Sequence, residues 1–420
     1  MECGVSKQSV RNLLEVGQGN EIAITAPSRK PLNYNGLRIH IDLIGEQLAS
    51  IGLTNSDRVA IVLPNGPEMA TAFLAVSSYM SAAPLNPSYK EAEYEFYLED
   101  LKPKLVIVEE NTSNPVVKAA KKLSIPIAEI SVNKDNAAGE FSLFETRKSI
   151  DIPSIEMEAL VLHTSGTTSR PKVVPLTQSN LVASAGNISD TLKLKEADHS
   201  LNIMPLFHIH GLIAVLCASI SAGSSVCCTP GFNALKFFEL ANSQKITWYS
   251  GVPTMHQAIL LRGQRQADVA KALNLRFIRS SSASLPPAVF DELTTLFNCP
   301  VIEAYGMTEA THQMSSNPLP PQKQKAGFVG LPAGPEVCIM DAAGNKLAEG
   351  EEGEVCIKGD NVTPGYDKNP EATSQSFTDG RFRTGDQGKF DEDGYLKITG
   401  RLKEIINRGG EKISPLEIDN

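Results

Sequence analysis

Short apolar runs that alternate with helix-length segments constrain the fold of this 420-residue chain more than any other feature. Residues 58–63 (Arg-Val-Ala-Ile-Val-Leu) read as a strand, 68–80 as a helix and 83–86 as a strand end. Residues 91–101 read as a second helix, and 104–108 as the strand that closes the unit. Strands alternating with helices of about a dozen residues predict a mostly parallel sheet covered on both faces. A polar, weakly periodic stretch at 132–149 reads as a linker, and a second α/β unit runs from 159 to about 314. Beyond a proline-rich loop at 317–325, short strands with Gly/Asp turns (337–340, 353–358, 395–399) predict a small β-barrel. The expected fold class is α/β: two doubly wound subdomains, 1–150 and 151–325, then a barrel subdomain, 326–402, with residues 403–420 after it.

Residues 163–172, His-Thr-Ser-Gly-Thr-Thr-Ser-Arg-Pro-Lys, pack five hydroxyls, a glycine and two cations behind the apolar run 159–162. That run reads as a buried strand, and residues from Gln178 onward read as a helix. A hydroxyl-rich turn between strand and helix offers N–H donors, O–H donors and a cation to an anion, best a phosphate. Gly166 and Lys172 are misplaced for a Walker A loop. A shorter cluster of this kind would be an ordinary surface turn.

The net charge of −9 argues against general affinity for nucleic acid or anionic membranes, so any anionic ligand must be held by local donors. Seven scattered cysteines without a C-x-x-C pair indicate neither a zinc site nor a disulfide framework. The N-terminal residues lack a hydrophobic signal core. The weakly charged stretch 211–228, broken by Ser and Gly, reads as a buried helix and strand and not as a membrane span.

The loop 163–172 resembles the phosphate-binding signature of the adenylate-forming superfamily: acyl-CoA synthetases, luciferases and peptide-synthetase adenylation domains. Pro205-Leu-Phe-His208, Glu303-Ala-Tyr-Gly-Met-Thr-Glu309, Thr384-Gly-Asp386 and Gly400-Arg-Leu-Lys403 resemble its further signatures, in family order. Ser169 in place of glycine, with residues 207–211, 277–280 and 308–318, is most similar to the plant and fungal ligases that join oxalate to coenzyme A.

That resemblance implies the roles. Thr164, Ser165, Gly166, Thr167, Thr168, Ser169 and Lys172 would hold the β- and γ-phosphates of ATP, with Ser169 stiffening the loop. Glu309 would hold Mg²⁺, a lone carboxylate completed by phosphate oxygens and water; it could otherwise cap or solvate a helix. Thr308 would reach the α-phosphate, Tyr305 would offer a face to adenine, and Asp386 and Arg401 would meet the ribose. Ser282, Ala283, Glu303, Ala304 and Gly306 complete the expected nucleotide surroundings. The expected catalytic set is Thr164, Lys172, His208, Thr308 and Glu309.

For the acid, histidine at 208 stands where amino-acid-activating relatives carry an aspartate, which disfavours an α-amino acid. Oxalate has two carboxylates and no apolar surface, so it needs donors at both ends. His312 and Ser282 are its expected anchors, with His208 and His210 supporting; each lone histidine could instead be a satisfied core residue. Arg279 could face either side of its strand. His163, Trp248 and His256 read as structural. Lys403 resembles the hinge to a C-terminal lid, of which residues 411–420 read as the start, cut short.

The activity implied is an AMP-forming ligation of oxalate to coenzyme A. The alternatives are another small or aromatic acid, such as 4-coumarate, or a non-catalytic nucleotide-binding relic. Decay of the loop or of Glu309 would mark a relic, and neither has decayed. The expected compartment is the cytoplasm, or the peroxisome if a C-terminal address follows.

Overall fold

The computed structural model describes residues 8–164 and 171–402, with backbone alone for 406–408 and 411–413. A six-stranded sheet runs in the order Ile127–Ile130, Leu105–Glu109, Arg58–Val62, Ser81–Pro84, Glu158–His163 and Val173–Thr177. All neighbours are parallel except the last pair, a hairpin. The helices Pro67–Tyr79 and Glu91–Leu101 are the expected crossovers. Proline at the first position suits a helix start, since its missing N–H would be unpaired there anyway. Lys102, left-handed at φ 51°, and Pro103 end the second helix.

A nine-stranded sheet follows the order Leu331–Pro332, His312–Ser316, Val301–Met307, Phe277–Ser280, Trp248–Gly251, His199–Asn202, Ser225–Cys228, Ile22–Thr25 and Leu32–Asn33. The sheets therefore do not part at residue 150. Ile22–Thr25 pairs in parallel with Ser225–Cys228 in the second sheet, while Glu158–His163 and Val173–Thr177 complete the first. The physical reason lies in the helix Pro67–Tyr79. Every residue in it except Glu68 is buried, and it packs against strands of both sheets. A helix apolar all round needs cover on every side. Phe73, fully buried there, would cost about 3–5 kcal/mol on truncation to alanine.

Residues 211–228 form the expected buried helix and strand, but the helix begins as a π-helix, His210–Cys217. Gly211 is required there, because a Cβ would lie 2.4 Å from the Pro205 carbonyl oxygen. The expected small barrel takes the form of a five-stranded antiparallel sheet built from Glu336–Met340, Gly353–Lys358, Arg381–Phe390, Phe377–Thr378 and Leu396–Arg401.

Candidate active site

The functional side chains collect beyond the carboxyl ends of the parallel strands, where open α/β sheets bind ligands. His208 and His210 follow His199–Asn202, Ser282 follows Phe277–Ser280, and Thr164 follows Glu158–His163. A cavity between the sheets is lined by Tyr97, Val161, His163, Phe207, His208 and Thr308. His208 is exposed at it, with its ring centroid 4.7 Å from that of Phe207.

The phosphate loop differs from expectation in one respect. It joins two strands of a hairpin, because Val173–Thr177 intervenes before the helix Gln178–Thr191. Any anion held there must rely on the loop's own donors and not on that helix N-terminus. Its two ends are tied: Thr164 N–H donates to the Lys172 carbonyl at 2.9 Å, and Lys172 N–H donates to Thr164 Oγ1 at 3.1 Å. Ser165, Gly166, Thr167, Thr168 and Ser169, like the hinge candidate Lys403, lie outside the described residues. Val173 is buried, as a packing residue should be.

A second hairpin, Val301–Met307 with His312–Ser316, carries most of the remaining candidates. Its turn, Thr308–Ala310, brings Glu309 inward, where burial raises its carboxyl above the usual range. Tyr366 O–H donates to Glu309 Oε1 at 2.9 Å, and Lys172 Nζ lies 4.3 Å from the centroid of the Tyr366 ring. Both interactions pull the Glu309 carboxyl back toward ionisation, so a cation, a phenol and a carboxylate from three separate segments meet at one point. Tyr366 has no signal in the sequence beyond its place in a Pro-Gly-Tyr turn. Gly306 is required by close approach, since a Cβ there would lie 1.8 Å from the His312 carbonyl oxygen.

The expected ribose and adenine groups also meet. Tyr305 O–H donates to Asp386, and Arg401 Nε donates to Asp386 Oδ1 at 3.0 Å across paired strands. Glu303 is placed differently from a ligand contact. Its side chain is buried, accepts from Leu285 N–H at 3.0 Å, and is pushed up by burial to about 7. Together with the Ala304 carbonyl, which accepts from Ser281 Oγ at 2.8 Å, it pins the loop that presents Ser282 and Ala283. Both of those residues are exposed, and Ser282 is held left-handed at φ 71°.

Of the acid candidates, His210 and His312 lie in a buried polar cluster that reaches the exposed Ser282, while His208 stands apart beside Phe207. His210 Nδ1 lies 2.9 Å from Ser282 Oγ, and its Nε2 lies 2.7 Å from Ser250 Oγ. The His312 ring centroid is 4.9 Å from that of His210. Burial, and the nearby Arg279, hold both imidazoles well below the usual histidine range, and therefore neutral. Arg279 points into this cluster, fully buried between the two rings. His163 pairs with Asp100 at 3.0 Å, and His256 and Trp248 are buried in the second sheet's packing. No group of three or more metal-ligating side chains occurs among the described residues.

The two-sheet α/β body thus carries a hydroxyl-rich loop with tied ends and a Lys–Tyr–Glu cluster whose tyrosine and glutamate are buried. The family model described as AMP-binding enzyme matches residues 15–367, and the chain belongs to that family. An oxalate–CoA ligase of Arabidopsis thaliana is 44% identical over 416 residues, covering 95% of this chain and 81% of the relative. An oxalate–CoA ligase of Saccharomyces cerevisiae is 43% identical over 392 residues, covering 86% of this chain and 72% of the relative. The crystal structure of ATP-bound MatB from Rhodopseudomonas palustris matches with a TM-score of 0.87 at 27% identity, over 98% of this chain and 82% of that one.

Proposed function

We propose that this chain is an acid–thiol ligase that activates oxalate with ATP and transfers the oxalyl group to coenzyme A. One carboxylate oxygen of the acid attacks the α-phosphate, diphosphate leaves, and the thiol then displaces AMP from the acyl-adenylate. Both reactants of the first step are anions, so the protein must neutralise charge and hold the groups in line. Lys172 and Thr164 suit the phosphates, and Thr308 and His208, which share a cavity, suit the reacting carboxylate and α-phosphate. Asp386, Arg401 and Tyr305 suit the nucleoside.

The residues present fit a magnesium ion. Glu309 is a buried carboxylate with a cation and a phenol beside it and spare oxygen lone pairs, which suits an ion shared with phosphate oxygens. Bound there, magnesium would supply charge neutralisation to the phosphates.

The observation that carries the substrate is the polarity of the acid end. His210, His312, Ser250, Ser282 and Arg279 form a polar cluster, whereas a long or aromatic acid would need an apolar wall. The two relatives named oxalate–CoA ligase support the same reading. The six described cysteines are all unpaired, five of them buried, which suits a reducing compartment such as the cytoplasm. Among the described residues no helix is long and apolar enough to cross a membrane.

The test is calorimetric titration of oxalate into the protein with Mg²⁺ and a non-hydrolysable ATP analogue, with acetate, malonate and 4-coumarate in parallel. Selective oxalate binding is expected. Preference for another of these acids would keep the ligase class and overturn the substrate.

A further inference from the structure

Arg279 is the one arginine among the described residues that is completely buried and forms no ion pair. Its partners are all neutral. One terminal nitrogen faces Ser250 Oγ at 3.4 Å and His210 Nε2 at 3.5 Å; the other faces Gln313 Oε1 at 3.3 Å and His312 Nδ1 at 3.5 Å. These bonds are long, and its Nε has no partner among the described residues. Burial pulls the guanidinium down to about 9, so it still carries its charge at neutral pH. A buried cation without a counter-charge is costly unless a ligand supplies one.

The guanidinium has donors and no acceptor, so each atom it faces must present a lone pair. At His312 that atom is Nδ1, which places the ring proton on Nε2, the nitrogen turned away from Arg279. At His210 it is Nε2. Ser250 Oγ accepts from Arg279 and has one proton to give, for which the Arg279 carbonyl at 3.3 Å and His210 Nε2 at 2.7 Å compete. The shorter contact, to a nitrogen that the guanidinium also faces, takes it, which leaves the His210 proton on Nδ1, given to Ser282 Oγ across 2.9 Å. Ser282, its oxygen already accepting, has its own O–H to donate outward, and it is exposed. The opposite tautomer of either histidine would set an N–H against the guanidinium and turn a lone pair toward the acid.

We propose that Arg279 is a positioning residue for acid recognition: it fixes His210 and His312 in the tautomers that direct donors at the acid, and its charge makes the pocket select a dianion. This rests on the ligase reading above and deepens it by saying why a small diacid is preferred to a monoacid. Two carboxylates would meet the His312 Nε2–H and the Ser282 O–H with a cation directly behind both.

The experiment pairs calorimetry with ¹⁵N-histidine NMR of the whole protein, using Mg²⁺ with the ATP analogue and then oxalate, malonate or acetate as probes. For the unsubstituted protein the spectra should show protonated Nε2 on His312 and protonated Nδ1 on His210. Arg279→Gln should weaken oxalate binding roughly 30- to 100-fold, leave acetate and the ATP analogue unchanged, and release at least one histidine from its single tautomer. Arg279→Lys, which keeps charge without the fork, should restore part of the oxalate affinity but not the fixed tautomers. The opposite ring tautomer in the unsubstituted protein overturns the proposal, whether or not any variant folds. So does oxalate affinity unchanged in Arg279→Gln. If the unsubstituted protein shows the stated tautomers but prefers a monoacid, the oxalate reading fails, and the charge-selection half of this proposal fails with it.

Discussion

The proposed nucleotide end and the proposed acid end of this site solve the problem of buried charge in opposite ways. At the nucleotide end, charges sit with opposite partners: Arg401 with Asp386, and Lys172 near Glu309 through Tyr366. At the acid end a single buried cation is surrounded by neutral imidazoles, a hydroxyl and an amide. Paired charges hold a shape whether or not a ligand is present. An unpaired charge leaves a deficit, and the deficit marks where an anion is to be placed.

The sharpest way to break this contrast is at Glu309. Glu309→Gln should slow adenylate formation, read as pyrophosphate release, by about 100-fold or more, with oxalate affinity little changed. A parallel loss of oxalate binding would mean that the two ends are one electrostatic unit. His312→Ala should do the reverse. Titration should show oxalate binding weakened about 30-fold, by about 2 kcal/mol, with the ATP analogue binding as before. Equal loss of both ligands would make His312 structural.

Acidification tests the buried histidines outside both ends, through stability. His256, whose ring lies 3.2 Å from where a Cβ on Gly251 would sit, is pushed down by burial to about 4. Its folded pKa lies below its unfolded one, so the unfolded chain takes up the proton first. The stability this histidine contributes is full above about 6.5 and is lost as pH falls from there toward 4. That is about 3 kcal/mol at most, and His256→Gln should flatten part of the urea-midpoint slope in that window. An unchanged slope would place the acid sensitivity elsewhere, with His40, also lowered to about 4, the next candidate. The smallest effect is expected for Tyr366→Phe. Loss of its bond to Glu309 should cost about 1 kcal/mol and slow pyrophosphate release several-fold without moving acid affinity.

Much of this was legible in the chain, for local reasons. The helices at 67–79 and 91–101 follow from proline, left-handed and apolar signals that act over a few residues. The motif 303–309 lies on one hairpin, so its sequence neighbours are also spatial neighbours. Asp386 and Arg401 pair because their strands are consecutive. Arg279 was not legible, because the strand Phe277–Ser280 is buried on both faces and alternation then carries no direction. Tyr366 was not legible because its contacts with Glu309 and Lys172 join segments far apart in the chain. Sequence also placed the loop directly before a helix, where residues 173–177, Val-Val-Pro-Leu-Thr, in fact hold a second strand of the hairpin.

The exchange of strands between the two sheets has a consequence for how the chain is made. Ile24 has its parallel partner in Val226, some 200 positions later. At about 5–20 residues per second on a ribosome, the early strand waits roughly 10–40 s for the edge it will join. Over that interval the strand has only the two-residue partner Leu32–Asn33, and the rest of the sheet that buries Ile24 and Ala23 is not yet made. A newly made chain therefore spends its synthesis with an apolar strand unplaced, and conditions that shield such a strand should raise the yield of active protein more than conditions that stabilise the finished fold.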